Sequence, residues 1–392
     1  MFIHILSSSD NMIYLDNAAT SRPYPQLKKT IDSVLENDWY NPSSLYDPSV
    51  KTARHIKEAR QTIADLIGFK PSEIIFTSGS TEGNNMVLSY SQGWRKIITT
   101  KIEHKSVSAP VSKRENIDYT SIAYVSVDKQ GRVDLKDLEN ELLSDYSFED
   151  RSKVLVSIIA VNNEIGTIQD IKKIAMLCDQ YGAILHLDCT QAMGKIDLDY
   201  GVADIITASA HKFHGLKGVG FVASRIKLNP FLLGGHQESD MRAGTENALG
   251  IITMAGALKM SYDRMDINFD LIDQYKHELK SELAKIDDVR FNDDPDNPYI
   301  LSVSFKDVNA ESLLYLLSLK HIYVSSGSAC NSKEQKVSPI LMAIDVPPEY
   351  IYGTIRLSFS DENCVDEIPV IVNAIKDCVT SIRHSRGVKD IG

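Results

Sequence analysis

Five short apolar runs, set apart by amphipathic stretches, most constrain what this chain can fold into. They are Ile74-Ile75-Phe76, Ile97-Ile98, Val154-Leu155-Val156-Ser157-Ile158-Ile159-Ala160-Val161, Ile184-Leu185-His186-Leu187 and Ile205-Ile206. A strand that is apolar along its length, without polar alternation, has both faces covered. That is the mark of a parallel sheet packed between helices. Helical patterns such as Ile171-Lys172-Lys173-Ile174-Ala175-Met176-Leu177-Cys178 lie between the runs. The alternation, from about residue 60 to 225, predicts an α/β fold with a mostly parallel sheet covered by helices.

After about residue 260 the pattern changes. A charged helix is expected from Asp270 to Ile286, a strand over Ile300–Phe305 and a helix over Ala310–Leu319. A strand over Ile355–Phe359 follows, then a last helix from Val365 to about Arg383. These make a smaller α+β domain, with 292–298 as a loop inside it. A chain of 392 residues exceeds one small core. The expected division is a large domain over 14–260, and a small domain from 1–13 and 261–392. No internal repeat or low-complexity tract is seen.

Apolar residues make up 43% and charged residues 24%, values of a soluble globular protein. The net charge of −11, from 42 basic and 53 acidic residues, argues against nucleic acid or an anionic membrane as the main partner. It favours a cytoplasmic protein that handles small molecules or basic protein surfaces. No apolar run is long enough to span a bilayer. The first nine residues have no basic n-region, so a secretory leader is not expected. Cys178, Cys189, Cys330, Cys364 and Cys378 are scattered, with no Cys-x-x-Cys pair. They read as reduced thiols, not as a disulfide framework or a metal site.

In open parallel sheets, ligands bind beyond the carboxyl ends of the strands. After Ile74-Ile75-Phe76 comes Thr77-Ser78-Gly79-Ser80-Thr81-Glu82-Gly83-Asn84-Asn85, an anion cradle of backbone N–H groups at a helix start. Glu103 and His104 follow the second run, Asn162-Asn163-Glu164 the third, and Asp188-Cys189-Thr190-Gln191 the fourth. Ser209-Ala210-His211-Lys212 follows the fifth. A lysine at the polar end of a buried strand is costly to desolvate unless it is paired or used covalently. Burial makes its amine nucleophilic, which Schiff-base chemistry with an aldehyde cofactor requires. Each group alone reads as a turn, a cap or an ordinary loop residue. Together they place a phosphate cradle, an imidazole, an amide, a carboxylate and a lysine at one face of one sheet.

Further motifs are Tyr14-Leu15-Asp16-Asn17-Ala18-Ala19-Thr20, Asn41-Pro42-Ser43-Ser44, Glu103-His104-Lys105 and Asn162-Asn163-Glu164-Ile165-Gly166. Arg242-Ala243-Gly244-Thr245 and Ser325-Ser326-Gly327-Ser328-Ala329-Cys330 complete the set. With them the chain resembles, nearly end to end, the pyridoxal-phosphate-dependent cysteine desulfurases of the NifS/IscS type, of class V aminotransferase fold. The resemblance implies that Lys212 holds pyridoxal 5'-phosphate covalently and then moves the substrate's Cα proton. Asp188 pairs with the pyridine nitrogen, His104 stacks on the ring and moves protons, and Gln191 bonds the phenolic oxygen. Thr81, Ser209 and His211 bind the phosphate, and Ser80 belongs to the same cofactor-binding set. Thr245 reaches in from the other subunit of a homodimer. Asn163, also in the cofactor-binding set, and Arg356 hold the carboxylate of L-cysteine.

In the resemblance Cys330 attacks the substrate sulfur, leaving L-alanine and a persulfide for a protein acceptor. Its small-residue loop suits an accessible thiol, and only an accessible thiol can ionise and attack. Cys178 and Cys378 fall in helical patterns and read as buried; Cys364 sits beside Asp361 and Glu362, whose charge disfavours a thiolate. Leu216, Tyr46 and Cys189 depart from the common pattern without removing a role. A selenocysteine lyase is the rival within the same fold, and the context of Cys330 argues against a plain transaminase. A non-catalytic interaction protein would not keep Lys212, Asp188, His104 and Cys330 together. The acceptor stays open among iron–sulfur cluster assembly, tRNA thiolation, cofactor sulfuration and DNA sulfur modification. The stretch Ser385–Gly392 reads as a frayed tail.

Overall fold

The computed structural model describes residues 12–89, 93–115, 120–144, 153–326 and 337–387. They divide into two compact units. One holds the chain up to Ala19, Glu164–Gly166 and the chain from Asp266 onward; the other holds Thr20–Asn163 and Thr167–Met265. The boundaries expected from sequence differ from this division at residues 14–19, 164–166 and 261–265. The first difference has a clear cause. Strand β1 (Ile13–Tyr14) and Asn17 bond to backbone near residues 322 and 358.

The larger unit is built on one sheet. Its strands are β2 (Ile74–Thr77), β3 (Lys96–Thr100), β4 (Ser121–Val125), β5 (Val154–Ile159), β6 (Ile184–Asp188), β7 (Ile205–Ser209) and β8 (Gly220–Ser224). The order is β2-β8-β7-β6-β5-β3-β4. Only β8 runs against its neighbours; the other pairs are parallel. The sheet is therefore mostly parallel, as the apolar runs require. Helices α1 (Leu27–Asn37), α2 (Asp47–Ile67), α3 (Ser80–Leu88), α4 (Lys105–Glu115), α5 (Leu135–Ser144), α6 (Ile171–Tyr181) and α7 (Ala248–Asp263) belong to the same unit.

Every residue of β5 is buried, as a central strand covered on both faces must be. Ile75, Met86, Trp94, Ile97, Leu155, Ile205 and Val222 form one core cluster. Helix α6 is bounded by its own residues. The Asp170 side chain accepts from Lys173 N, and Gly182 closes the helix at a φ of 68°. The expected strand to Val161 stops at Ile159, because Val161 pairs with Ile168 instead.

Strand β2 lies at one edge of the sheet, and its outer side is capped by an ion pair. Arg60 Nη1 donates to Ile74 O at 2.6 Å, and Phe76 N–H donates to Glu238 Oε2 at 2.9 Å. The Arg60 guanidinium grips both Glu238 oxygens, at 2.8 and 2.7 Å. Such a cap keeps an open row of backbone groups from pairing with another chain. Glu238, Ser239 and Asp240 are held at φ values of 48°, 54° and 68°.

The smaller unit is α+β. Strands β9 (Val289–Phe291), β10 (Ile300–Phe305), β12 (Ser325–Ser326) and β13 (Thr354–Ser358) form an antiparallel sheet in the order β12-β13-β10-β9. β1 pairs in parallel with β11 (Ile322–Tyr323). The first motif is tied down further: Asn17 Nδ2 donates to Ser358 O at 3.0 Å and Ala18 N to Ser358 Oγ at 2.8 Å. Helices α8 (Met265–Leu283), α9 (Ala310–Leu319), α10 (Pro339–Ala343), α11 (Pro348–Ile351) and α12 (Ile368–Gly387) complete it.

Helix α9 matches its expected bounds, whereas α8 starts five residues before Asp270 and ends before Ile286. The last helix also runs further than expected. A short turn at Val365–Glu367 precedes it, and its end extends to Gly387. The cause lies in its last turns, where Arg383 donates to Lys306 O and Asp287 O, and Ser385 Oγ to Ile382 O. Residues 385–387, read from sequence as tail, are therefore helical; the remaining five lie outside the described residues.

Candidate active site

The carboxyl ends of β6 and β7 are neighbours, with Asp188 in register with Thr207. Asp188 closes β6 and is only 2% exposed. Thr190 donates to its Oδ1 from the backbone at 3.0 Å and from the hydroxyl as well. Asn84 Nδ2, from α3, donates to Oδ2 at 2.9 Å. Gln191, three residues on, is buried.

Lys212 ends a short turn, Ala210–Lys212, that directly follows β7, and its side chain is half-buried. His211 beside it is pushed down to about 4 by burial first, then by the charges of Lys212, Lys217 and Lys195. Its Nδ1 lies 3.1 Å from Thr20 Oγ1. Ser21 fixes the same turn, with its N–H and Oγ–H both donating to His211 O at 2.9 Å.

The start of α3 forms a cradle against β7. Ser80 N–H donates to Ser209 Oγ at 2.7 Å, and Ser209 Oγ–H donates to Ser80 Oγ at 2.9 Å. Glycine is required here. Gly79 sits at a φ of 153°, and a Cβ on it would lie 3.1 Å from Ser209 Oγ. A Cβ on Gly220 of β8 would stand 2.7 Å from Gly79 Cα and 2.4 Å from Ala208 O. Glu82 steadies the turn by accepting from Ser78 N at 2.8 Å and pairing with Arg242 at 2.9 Å. Thr81 and His104 share an open cavity of about 460 Å³ with Lys105 and Ser106.

His104 is exposed just before α4, with its Nδ1 turned to Ser106 Oγ at 2.8 Å. Glu103 beside it is buried and accepts from Thr100 Oγ1 at 2.7 Å. Burial, and then the charge of Asp188, push its carboxyl up to about 8, against the two bonds it accepts. Asn163 is half-buried, and Thr245 is exposed in the loop before α7.

In the smaller unit, Arg356 is buried in β13, and its Nη2 donates to Asp16 Oδ1 at 2.7 Å. Glu164 accepts from Ser338 Oγ at 2.6 Å. Cys330 lies outside the described residues. Cys178, Cys189 and Cys378 are buried and Cys364 is exposed. Burial first, then the charge of Asp188, push the Cys189 thiol well above its usual range. Among the described residues, no group of three or more His, Cys, Asp or Glu side chains could hold a metal ion. None of their helices is long and apolar enough to cross a membrane.

Sequence reasoning assigned no role to Asn84, Thr190, Ser106 or Thr207. Their bonds join α3, the start of α4 and two strands, and only the topology brings these elements together. One signal was available: Ser106 sits two residues from His104, and Asn84 three from Thr81.

The aminotransferase class-V family model matches residues 13–371. A cysteine desulfurase IscS from Dictyoglomus turgidum is 36% identical over 383 residues, covering 95% of each chain. A NifS-like protein from Rickettsia africae has a structure that matches with a TM-score of 0.84 at 31% identity, over 94% of this chain and 99% of that one. SspA, solved in complex with cysteine, matches with a TM-score of 0.75 at 26% identity, over 88% and 98% of the two chains. Members of this family are in general pyridoxal-phosphate-dependent enzymes. Fold and relatives agree: the chain belongs to the class-V aminotransferase family, among the cysteine desulfurases of the NifS/IscS type.

Proposed function

We propose that the protein uses pyridoxal 5'-phosphate to take sulfur from L-cysteine, giving L-alanine and a persulfide on Cys330. The observation that carries this reading is the buried Asp188 carboxylate, braced by Thr190 and Asn84 at the end of β6, one strand from Lys212. A braced, buried carboxylate suits a protonated ring nitrogen. The tight Gly79–Gly220 contact packs the turn before α3 against β8, and a hydroxyl-rich helix start of this kind suits a phosphate. The residues present therefore fit this cofactor.

Asp188 would hold the ring nitrogen, and Gln191 the phenolic oxygen. Ser80, Thr81, Ser209 and His211 would hold the phosphate, and His104 would cover the ring. Bound there, the cofactor supplies an electron sink for the charge that develops when the Cα proton leaves. Lys212 would anchor it covalently and carry that proton. Asn163 and Arg356 would take the substrate carboxylate, with Asp16 fixing the guanidinium plane.

Cys330 would attack the substrate sulfur. Burial denies Cys178, Cys189 and Cys378 that part. The exposed Thr245 would serve the phosphate of the partner in a homodimer, its loop anchored by the Arg242–Glu82 pair. The persulfide sulfur would pass to a protein acceptor in the cytoplasm, with no part for membranes or nucleic acid. Incubating the cofactor-loaded protein with L-cysteine and a thiol reductant tests the reading. Sulfide and alanine are expected in equal amounts. Pyruvate in place of alanine, or no product, overturns it.

A further inference from the structure

Asn84 has no exposed surface, and its side chain is a junction between elements. Nδ2 donates to Asp188 Oδ2 at 2.9 Å and to Ser106 Oγ at 2.8 Å; Oδ1 accepts from Thr207 Oγ1 at 2.6 Å. A carboxylate oxygen only accepts, so Asp188 fixes which way the amide faces. Both Nδ2 hydrogens are then committed. The Ser106 hydroxyl takes one of them and has its own proton left to give. That proton faces His104 Nδ1 at 2.8 Å, and the Ser106 backbone N–H donates to the same nitrogen at 3.1 Å. Two donors converge on one ring nitrogen. A neutral imidazole has one acceptor and one donor nitrogen, so its proton sits on Nε2.

The back of the network follows the same order. Thr207 gives its proton to Asn84, so its oxygen accepts from His186 Nε2 at 3.4 Å. His186 Nδ1 accepts from Ser157 Oγ at 2.9 Å. Burial keeps the His186 ring neutral by pushing it down to about 4, against the pull of Asp188. The network has one consistent direction, and a proton on His104 Nδ1 would have to displace the Ser106 N–H.

We propose that Asn84 is a positioning residue that, through Ser106, holds His104 as the Nε2–H tautomer, so that this ring donates a proton and does not accept one. Resting on the function proposed above, this assigns removal of the Cα proton to Lys212 alone. It also gives Asp188 a second duty, since the amide that braces it sets the proton on a ring two elements away.

The test reads the tautomer directly. The cofactor-loaded protein, labelled with ¹⁵N-histidine, is examined by long-range ¹⁵N–¹H correlation near neutral pH, and His104 is assigned by its loss in His104→Gln. An unprotonated Nδ1 and a protonated Nε2 are expected. In Ser106→Ala and in Asn84→Ala, the ratio of Nε2–H to Nδ1–H should fall roughly two- to tenfold, the worth of one hydrogen bond. Ser106→Thr, which keeps the hydroxyl, should restore it. A proton on Nδ1 in the wild type, or an unchanged ratio in the variants, overturns the proposal. If Asn84→Ala does not fold, the Ser106 pair decides. No turnover is needed, so an inactive protein still tests the tautomer. A working desulfurase with an Nδ1–H ring overturns this inference alone.

Discussion

The cap on the edge of β2 gives a quantitative prediction. Phe76 N–H donates to Glu238 Oε2 at 2.9 Å, and the same carboxylate is held by Arg60 through two bonds. In Glu238→Ala the Phe76 amide loses its acceptor, while Arg60 keeps its bond to Ile74 O. A hydrogen bond to a charged group is worth about 1.5–3 kcal/mol net. Removing it should speed hydrogen exchange at Phe76 by roughly ten- to a hundredfold. The loop should also relax. Glu238, Ser239 and Asp240 all have positive φ, and each such non-glycine residue costs of order 1–3 kcal/mol and persists only where its surroundings hold it. Exchange measured at single-residue resolution, with amides of β7 as internal controls, reads the effect. An unchanged rate at Phe76, in a folded variant, would refute the claim that this carboxylate closes the sheet edge.

Three further predictions concern the site. Lys212→Ala should leave a folded protein that retains no pyridoxyl label after borohydride reduction; a label on another lysine would sink the assignment. Cys330→Ser should still bind cofactor and L-cysteine but form almost no enzyme-bound persulfide. Full sulfide release would move the nucleophile elsewhere, although Cys189 is too buried to replace it. Glu103 is raised from 4.5 to about 8, so between these values the folded state holds a proton that the unfolded state has lost. Stability should therefore fall as pH rises through that window, and Glu103→Gln, followed by urea unfolding, should flatten the decline. An equally steep decline in the variant would show that Glu103 is not its source.

What could be read from the sequence, and what could not, follows from where information sits. Buried central strands are uniform in character, so β5, β6 and β7 were legible, and with them the placement of Asp188 and Lys212 at the strand ends. Strand β4 was not singled out: its run Ile122-Ala123-Tyr124-Val125 is short, and at the sheet edge Ser121–Tyr124 are exposed or half-buried. Helix α2 mixes charged residues with a buried stripe at Ile56, Ala59, Ile63 and Ile67, a pattern that no strand-end argument singles out. Asn84 escaped for a different reason. Its side chain bonds to residues 22, 104 and 123 positions away, so its meaning exists only after folding.

The bonds that tie the first motif to β13 bear on how the protein is made. Asn17 and Ser358 are 341 positions apart. At ordinary translation speeds the ribosome needs roughly 20–70 s to span that interval. Residues 20–265 can close around their sheet during this wait, while Asp16 has no arginine to hold. The lysine and the carboxylate of the larger unit can thus be in place before the Asp16–Arg356 pair exists. A nascent chain can hold Lys212 and Asp188 and still lack the residue proposed to grip a substrate, which ties the onset of chemistry to the synthesis of β13.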